Sequence, residues 1–377
     1  MLETTVKKGN GNMQITTYDG QRPVSWGGVS SAEVNLNGAV LPAARLGGVG
    51  TEPEYRRLGL VRKYFAEAWN YINEENIPVS FLHPFSFAYY RKIGYERVSD
   101  HRILEFPMSA LDFVPRYGDL VRCVAPQRAE DIAEVYNLFA EGRNIMFRRT
   151  PETAYMGAGN PDAEVYLLYG ENGKAEGYMV LAREQYYDVN RMVSVNLHVR
   201  EFCFTSPEAL LKLLGFLRMY EGQMDSIKVH NCAMSPELEA TLRHYTHTKI
   251  TVIPDIMARI HDVEAVLKAV KYPNTPGCFT VRVREPQSTG HNPDKTDGCW
   301  RVTYGNGTAS VERLDENAPC DLDCDISAFT RLIFGFDSIG VETARYLPGT
   351  KVYTSCEDFF RAFPHRATRF TDSCWSI

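Results

Sequence analysis

From residue 60 to 72, apolar side chains recur every three or four positions: Leu60, Val61, Tyr64, Phe65, Ala68, Trp69 and Ile72. That period predicts a helix with one buried face. Before it the pattern changes to the two-residue alternation of strands, in MQITTY, PVSWGGVS and AVLPAARLGGVGT. After it come a strand at VSFL, a short helix with Ser86 as N-cap and Gly94 just past its end, and a strand at YERVS. FPMSALDFVPRYGD reads as a linker.

The next stretch predicts a helix near EDIAEVYNLFAEG, a hairpin at EVYLLYGENGKAEGYMVLA and a helix at PEALLKLLGFLRMYEG. The last stretch contains a second hairpin, WRVTYGNGTASVERL, whose Asn306-Gly307 suits a tight primed turn. Helices follow from near Ser327 and Ser355, the latter with Asp358 at capping-box spacing. Strands alternating with helices in all three stretches predict mixed α/β (α+β) domains. The divisions fall at 1–110, 111–254 and 255–377.

Composition narrows the function. The chain has 377 residues and a formal net charge of -6, which argues against non-specific nucleic-acid or anionic-membrane binding. Nine scattered cysteines with neither a CxxC pair nor a zinc pattern suit a reducing, cytoplasmic setting. Cys324 alternates with Leu322 and Ile326 and reads as a packed thiol. His244 and His247 are spaced HxxH without a nearby third ligand, so they read as exposed rather than metal-binding. No apolar run is long enough to span a membrane, and MLETTVKKGNGNMQ does not resemble a signal peptide.

The helix from Leu60 poses a physical problem. Arg56, Arg57, Arg62 and Lys63 crowd its N-terminus, where the macrodipole is already positive. A bound anion would reverse the sign of that arrangement, and Gly59 would let the backbone approach it. A solvated basic face is the bland alternative. Neither a P-loop nor a dinucleotide-binding fingerprint is present.

Strand, then Arg-x-x-Gly-x-small, then helix resembles the pyrophosphate loop of the GNAT acetyltransferases, with Gly59 in place and Val61 at the small position. PEYRRLGLVR followed by FLHPFSFAYYRKIGYE is similar to the Eis (enhanced intracellular survival) group. The resemblance implies tandem GNAT folds followed by a sterol-carrier-protein-like α/β domain. It implies acetyl-CoA as co-substrate, no metal, an amine acceptor (aminoglycoside, polyamine or lysine side chain) and a homo-oligomer, a hexamer by resemblance. Val49, Gly50 and Thr51 would pair with the pantetheine arm. Arg57, Leu58, Gly59, Leu60, Val61 and Arg62 would wrap the pyrophosphate. Phe85 and Ser86 would stand near the cofactor, and Tyr90 would be the general acid; read without the family, Tyr90 is a core aromatic. The second region has no such loop and is assigned no cofactor.

The terminal carboxylate, here on Ile377, would be the base, although RFTDSCWSI departs from the family's usual aromatic ending. A second departure is at the start, where only a short polar segment is expected in place of the family's opening strand and one or two helices. A truncated, non-catalytic CoA-binding protein or a lipid carrier are the rival readings.

Overall fold

The computed structural model describes residues 2–9, 11–158, 163–188, 191–230, 235–285, 293–336, 339–353 and 356–366. The first stretch of chain forms β1 (Leu2–Gly9), β2 (Asn12–Asp19), β3 (Arg22–Leu36), β4 (Ala39–Thr51), α1 (Leu60–Glu74), β5 (Val79–Leu82), α2 (Phe87–Arg91) and β6 (Glu96–Arg97). The second forms β7 (Asp100–Pro107), β8 (Val121–Cys123), α3 (Ala129–Ala140), β9 (Glu164–Tyr169), β10 (Ala175–Asp188), β11 (Arg191–Phe204), α4 (Pro207–Leu217), β12 (Ser226–Val229), α5 (Pro236–Thr241) and β13 (Lys249–Pro254). The third opens with β14 (Met257–Ile260), α6 (Val263–Ala269), β15 (Gly277–Arg284), α7 (Pro293–Thr296), β16 (Gly298–Gly305) and β17 (Thr308–Leu314). It closes with β18 (Leu322–Asp325), α8 (Ile326–Ile333), α9 (Val341–Ala344), β19 (Thr350–Val352) and α10 (Glu357–Ala362).

These elements build three mixed α/β layers. The first sheet runs β1-β2-β3-β4-β5-β14-β6. It is antiparallel as far as β4 and parallel between β4 and β5, with α1 as the crossover that a parallel pair requires. Helix α1 buries the predicted face, Leu60, Tyr64, Phe65, Ala68, Trp69 and Ile72, together with Tyr71; Val61 is only half-buried. That face packs on Met13, Ile15, Val29, Ala44 and Leu46. Truncating a side chain buried as completely as Phe65 costs about 3–5 kcal/mol.

The second sheet runs β13-β7-β12-β11-β10-β9-β8. Read from its other edge, β8 to β12 repeat the pattern of β1 to β5. The sixth place is then filled crosswise. β14, which the chain makes after β13, lies between β5 and β6. β7, made after β6, lies between β12 and β13. The compact units follow this exchange. One contains the described residues of 2–99 and 255–366, the other those of 100–254.

Several local expectations are corrected. The polar opening LETTVKKG is a strand, β1, paired along its whole length with β2. Its side chains are mostly solvated, so alternation gave no signal, and the pairing comes from its neighbour. No helix separates β1 from β2. In the second unit, by contrast, α3 and the turns at Pro151–Ala158 stand between β8 and β9. The expected linker begins inside β7 and buries Met108, Ala110 and Leu111. The helix expected from near Ser327 is capped two residues earlier by Asp325, whose carboxylate accepts from the Ala328 N–H. Ser355 lies outside the described residues; Asp358 accepts from the Cys278 N–H at 2.7 Å.

The third sheet, β17-β16-β15-β18-β19, belongs to the first unit. Asn306 and Gly307 at its hairpin have φ of 51° and 82°, as a primed turn demands. Cys324 is fully buried there, and His244 and His247 of the second unit are exposed.

Candidate active site

Strand β4 carries two irregularities that make an opening. Trp26 faces Gly50 and Gly28 faces Gly47, so Gly48 and Val49 together oppose Gly27. Such a bulge bends a strand. Pairing of β4 with β5 stops at Leu46–Leu82, although β4 continues to Thr51. Val49, Gly50 and Thr51 therefore have β3 on one side and, among the described residues, no strand on the other. That edge can pair with an extended amide chain. Gly50 is required for a second reason: a Cβ there would stand 2.7 Å from the Trp26 indole. Ser25 braces the strand, its hydroxyl reaching the Gly50 carbonyl at 3.0 Å and the Thr51 hydroxyl at 2.9 Å.

Helix α1 starts beside this opening. Its N-cap is Gly59 at φ 79°, no side chain caps it, and no acidic residue lies in its first turn. Arg57 also has positive φ, at 65°. Together they turn the loop so that Arg57, Leu58, Gly59 and Arg62 are all exposed. A Cβ on Gly59 would meet nothing within 4 Å, so the glycine answers the backbone conformation and leaves clear space before the helix. Unsatisfied N–H groups, clear space and flanking guanidinium groups are what a pyrophosphate needs, so this set fits the diphosphate of CoA.

The second unit provides an internal contrast. Its corresponding helix, α4, is capped by Ser206, whose hydroxyl accepts from the Ala209 N–H at 3.1 Å. Pro207 removes one donor and Glu208 places a negative charge in the first turn. That helix end is already satisfied and repels an anion.

Tyr90 sits on α2, which begins as predicted: Ser86 accepts from the Tyr89 N–H at 3.3 Å. The Tyr90 ring packs against Phe65 of α1 at 5.9 Å, Phe85 at 5.2 Å, Tyr89 at 5.3 Å and Tyr95 at 6.2 Å. Through Phe65 the tyrosine is tied to the helix whose N-terminus faces the loop. Val49 and Val61 join the same apolar cluster. Tyr90 is thus a buried core aromatic in the cluster that also holds Val49 and Val61. Burial pushes its phenol well above the ordinary value, with Tyr95 and Tyr89 adding to the effect. Phe85 is 72 % exposed, an aromatic face held open to solvent.

One pair was not legible from spacing. His83, at the end of β5, bonds through Nδ1 to Asp255 Oδ1 at 2.9 Å, across 172 residues. Only the crosswise strand β14 brings Asp255 there. Ile377 lies outside the described residues.

Among the described residues no cluster of histidine, cysteine and carboxylate side chains could hold a metal, and no helix is long and apolar enough to cross a membrane. Residues 6–98 match a family model described as an acetyltransferase (GNAT) domain, and residues 146–260 match another of the same description. No curated protein sequence matches the chain. Similar solved structures include a GCN5-related N-acetyltransferase from Anabaena variabilis ATCC 29413, with 19% identity over 94% of this chain and 88% of that one, TM-score 0.79. A probable N-acyltransferase from Enterococcus faecalis V583 has 21% identity over 94% and 86%, TM-score 0.77. Eis1 from Mycobacterium abscessus has 16% identity over 95% and 91%, TM-score 0.73. At these identities the likeness is one of fold, and with the two matched segments it shows a chain that carries two GNAT acetyltransferase domains in tandem.

Proposed function

We propose that the first unit transfers an acetyl group from acetyl-CoA to a primary amine. The observation that carries this reading is the uncapped, cation-flanked N-terminus of α1 beside the unpaired end of β4. The thioester supplies an activated acyl group. The chain's own residues have four tasks. Arg57 to Arg62 hold the diphosphate. Val49 to Thr51 align the pantetheine and offer a backbone N–H to the carbonyl oxygen. Phe85 and Ser86 border the reacting end. Tyr90 gives its proton to the departing sulfur; its raised phenol keeps that proton until negative charge develops beside it.

A lysine-like acceptor must first lose a proton, at a cost of roughly 4–5 kcal/mol at pH 7. The Ile377 carboxylate is our proposed base. The His83–Asp255 pair is a second group able to accept that proton. In this proposal the third sheet with its helices is a sterol-carrier-like domain, and the protein acts as a cytoplasmic homo-oligomer. The acceptor is an aminoglycoside, a polyamine or a lysine side chain. Thiol release from acetyl-CoA should be followed against spermine, kanamycin and a lysine peptide. CoA binding without release with any of them would instead support the non-catalytic reading.

A further inference from the structure

We propose that Arg259, anchored by Glu285, is a positioning residue for Tyr90; this rests on the reading of Tyr90 as proton donor. Arg259 lies in β14, opposite Ser80 of β5, and is fully buried. Its Nη2 bonds Glu285 Oε2 at 2.5 Å, and Glu285, just past β15, is itself almost wholly buried. Its Nη1 donates to the Ile93 carbonyl at 2.9 Å. That carbonyl belongs to the turn that ends α2.

The turn is folded tightly around Tyr90. The Tyr90 carbonyl accepts from both the Ile93 and the Tyr95 N–H groups, each at 3.1 Å. Gly94, at φ 83°, completes it, and a Cβ at Gly94 would fall 1.6 Å from Arg259 Nη1. The arginine thus occupies the space a side chain would take, and reads the turn by contact as well as by hydrogen bond. Its guanidinium also lies 5.3 Å from the ring of Trp69 on α1, the helix that carries Phe65. Tyr95, edge-on to Tyr90, is held in parallel: its hydroxyl bonds Ser80 Oγ at 2.7 Å, which bonds His261 Nε2 at 2.7 Å. Arg259, His261 and Glu285 all come from beyond residue 254, so this part of the chain fixes the turn behind the acid.

A solvated surface arginine could swing away; a buried one that has a carboxylate on one side and a backbone carbonyl on the other has a single place to be. A displacement of Tyr90 by about an ångström is enough to cost up to ~10²-fold in rate.

The test pairs Arg259→Met with Glu285→Leu, since replacing both members of a buried ion pair by apolar residues preserves folding far better than removing one. Two readouts are taken. First, 3-fluorotyrosine placed at position 90 reports the ring's surroundings by fluorine NMR, with no need for turnover. One sharp line in the parent and a shifted or broadened line in the paired variant are expected. Second, kcat and the KM for acetyl-CoA are measured in the Tyr90 and the Tyr90→Phe backgrounds. The paired change should lower kcat by roughly 10–100-fold with KM unchanged in the first, and by less than about 2-fold in the second. An unmoved fluorine line, or equal losses in both backgrounds, overturns the proposal. Full turnover in Tyr90→Phe alone overturns the reading of Tyr90 as acid, while the fluorine line still decides whether Arg259 positions it. If the paired variant does not fold, Glu285→Gln is carried through the same two measurements.

Discussion

Gly59→Val separates two effects that a single assay would confuse. Gly59 has φ 79° at the N-cap of α1. A β-branched residue there strains the backbone by about 1–2 kcal/mol, and this acts on the folded protein whether or not CoA is present. For a unit of this size it should lower Tm by roughly 2–8 °C. The second effect appears only on binding. Nothing lies within 4 Å of a Cβ at this position, so the isopropyl group enters the space assigned to the diphosphate. Losing one or two charge-assisted backbone hydrogen bonds costs about 1.5–3 kcal/mol, or ~10–100-fold in Kd. Calorimetry should therefore compare CoA with pantetheine, which lacks the diphosphate. CoA affinity should drop by that factor and the heat of pantetheine binding should stay the same. Equal CoA affinity in wild type and variant would falsify the assignment of the loop, and equal losses for both ligands would point to general damage.

Three further outcomes follow from other parts of the structure. The Tyr90 phenol is raised in the folded protein, so its ionisation should not depress kcat between pH 8 and about 10; the stability its proton contributes is intact below the unfolded value near 10 and is lost only above it. A rate that falls along an ordinary tyrosine titration would show that the ring is solvated. Deleting Ser376 and Ile377 moves the terminal carboxylate by up to roughly 7 Å and should cut turnover with CoA affinity retained. Full activity would move the base elsewhere, with His83 next to test. A fragment ending at residue 110 lacks β14 and should show no cooperative melting by circular dichroism, whereas a sharp transition would mean that β5 and β6 pair without it.

Much of this fold was readable because its signals are local. The face of α1, the Ser86 cap and the Asn306-Gly307 turn each depend on neighbours a few residues away. The exchanged strands could not be read that way. MARI is four residues with a charge in the middle, yet all four are buried, because the partner that neutralises Arg259 is Glu285 and the strands that cover it are β5 and β6. β1 was hidden for the opposite reason, since its polar side chains face water and only its backbone is committed. In the site, the arginine–glycine loop announced itself by an electrostatic arrangement that is unfavourable without an anion. Tyr90 did not, as a phenol among phenyl rings has no pattern of its own; its proposed role rests on the family resemblance.

The crosswise placement of β7 and β14 has a consequence for the newborn chain. A ribosome delivers β5 and β6 early, but the strand that must lie between them emerges roughly 160 residues later, which at 5–20 residues per second is about 8–32 s. Through that interval the inner edges of β5 and β6 have no β14 to pair with, and the apolar side of the first sheet is incomplete. In the second sheet it is β7 that waits, since β12 begins about 120 residues after it, but every strand of that sheet has emerged by Pro254, before β14 begins. The order of synthesis therefore favours the capped, anion-repelling half as the first to close, and the half that carries the loop and Tyr90 as the second. A chaperone that shields strand edges should matter most in that window, and slow codons between β6 and β14 should lower yield more than slow codons after β14.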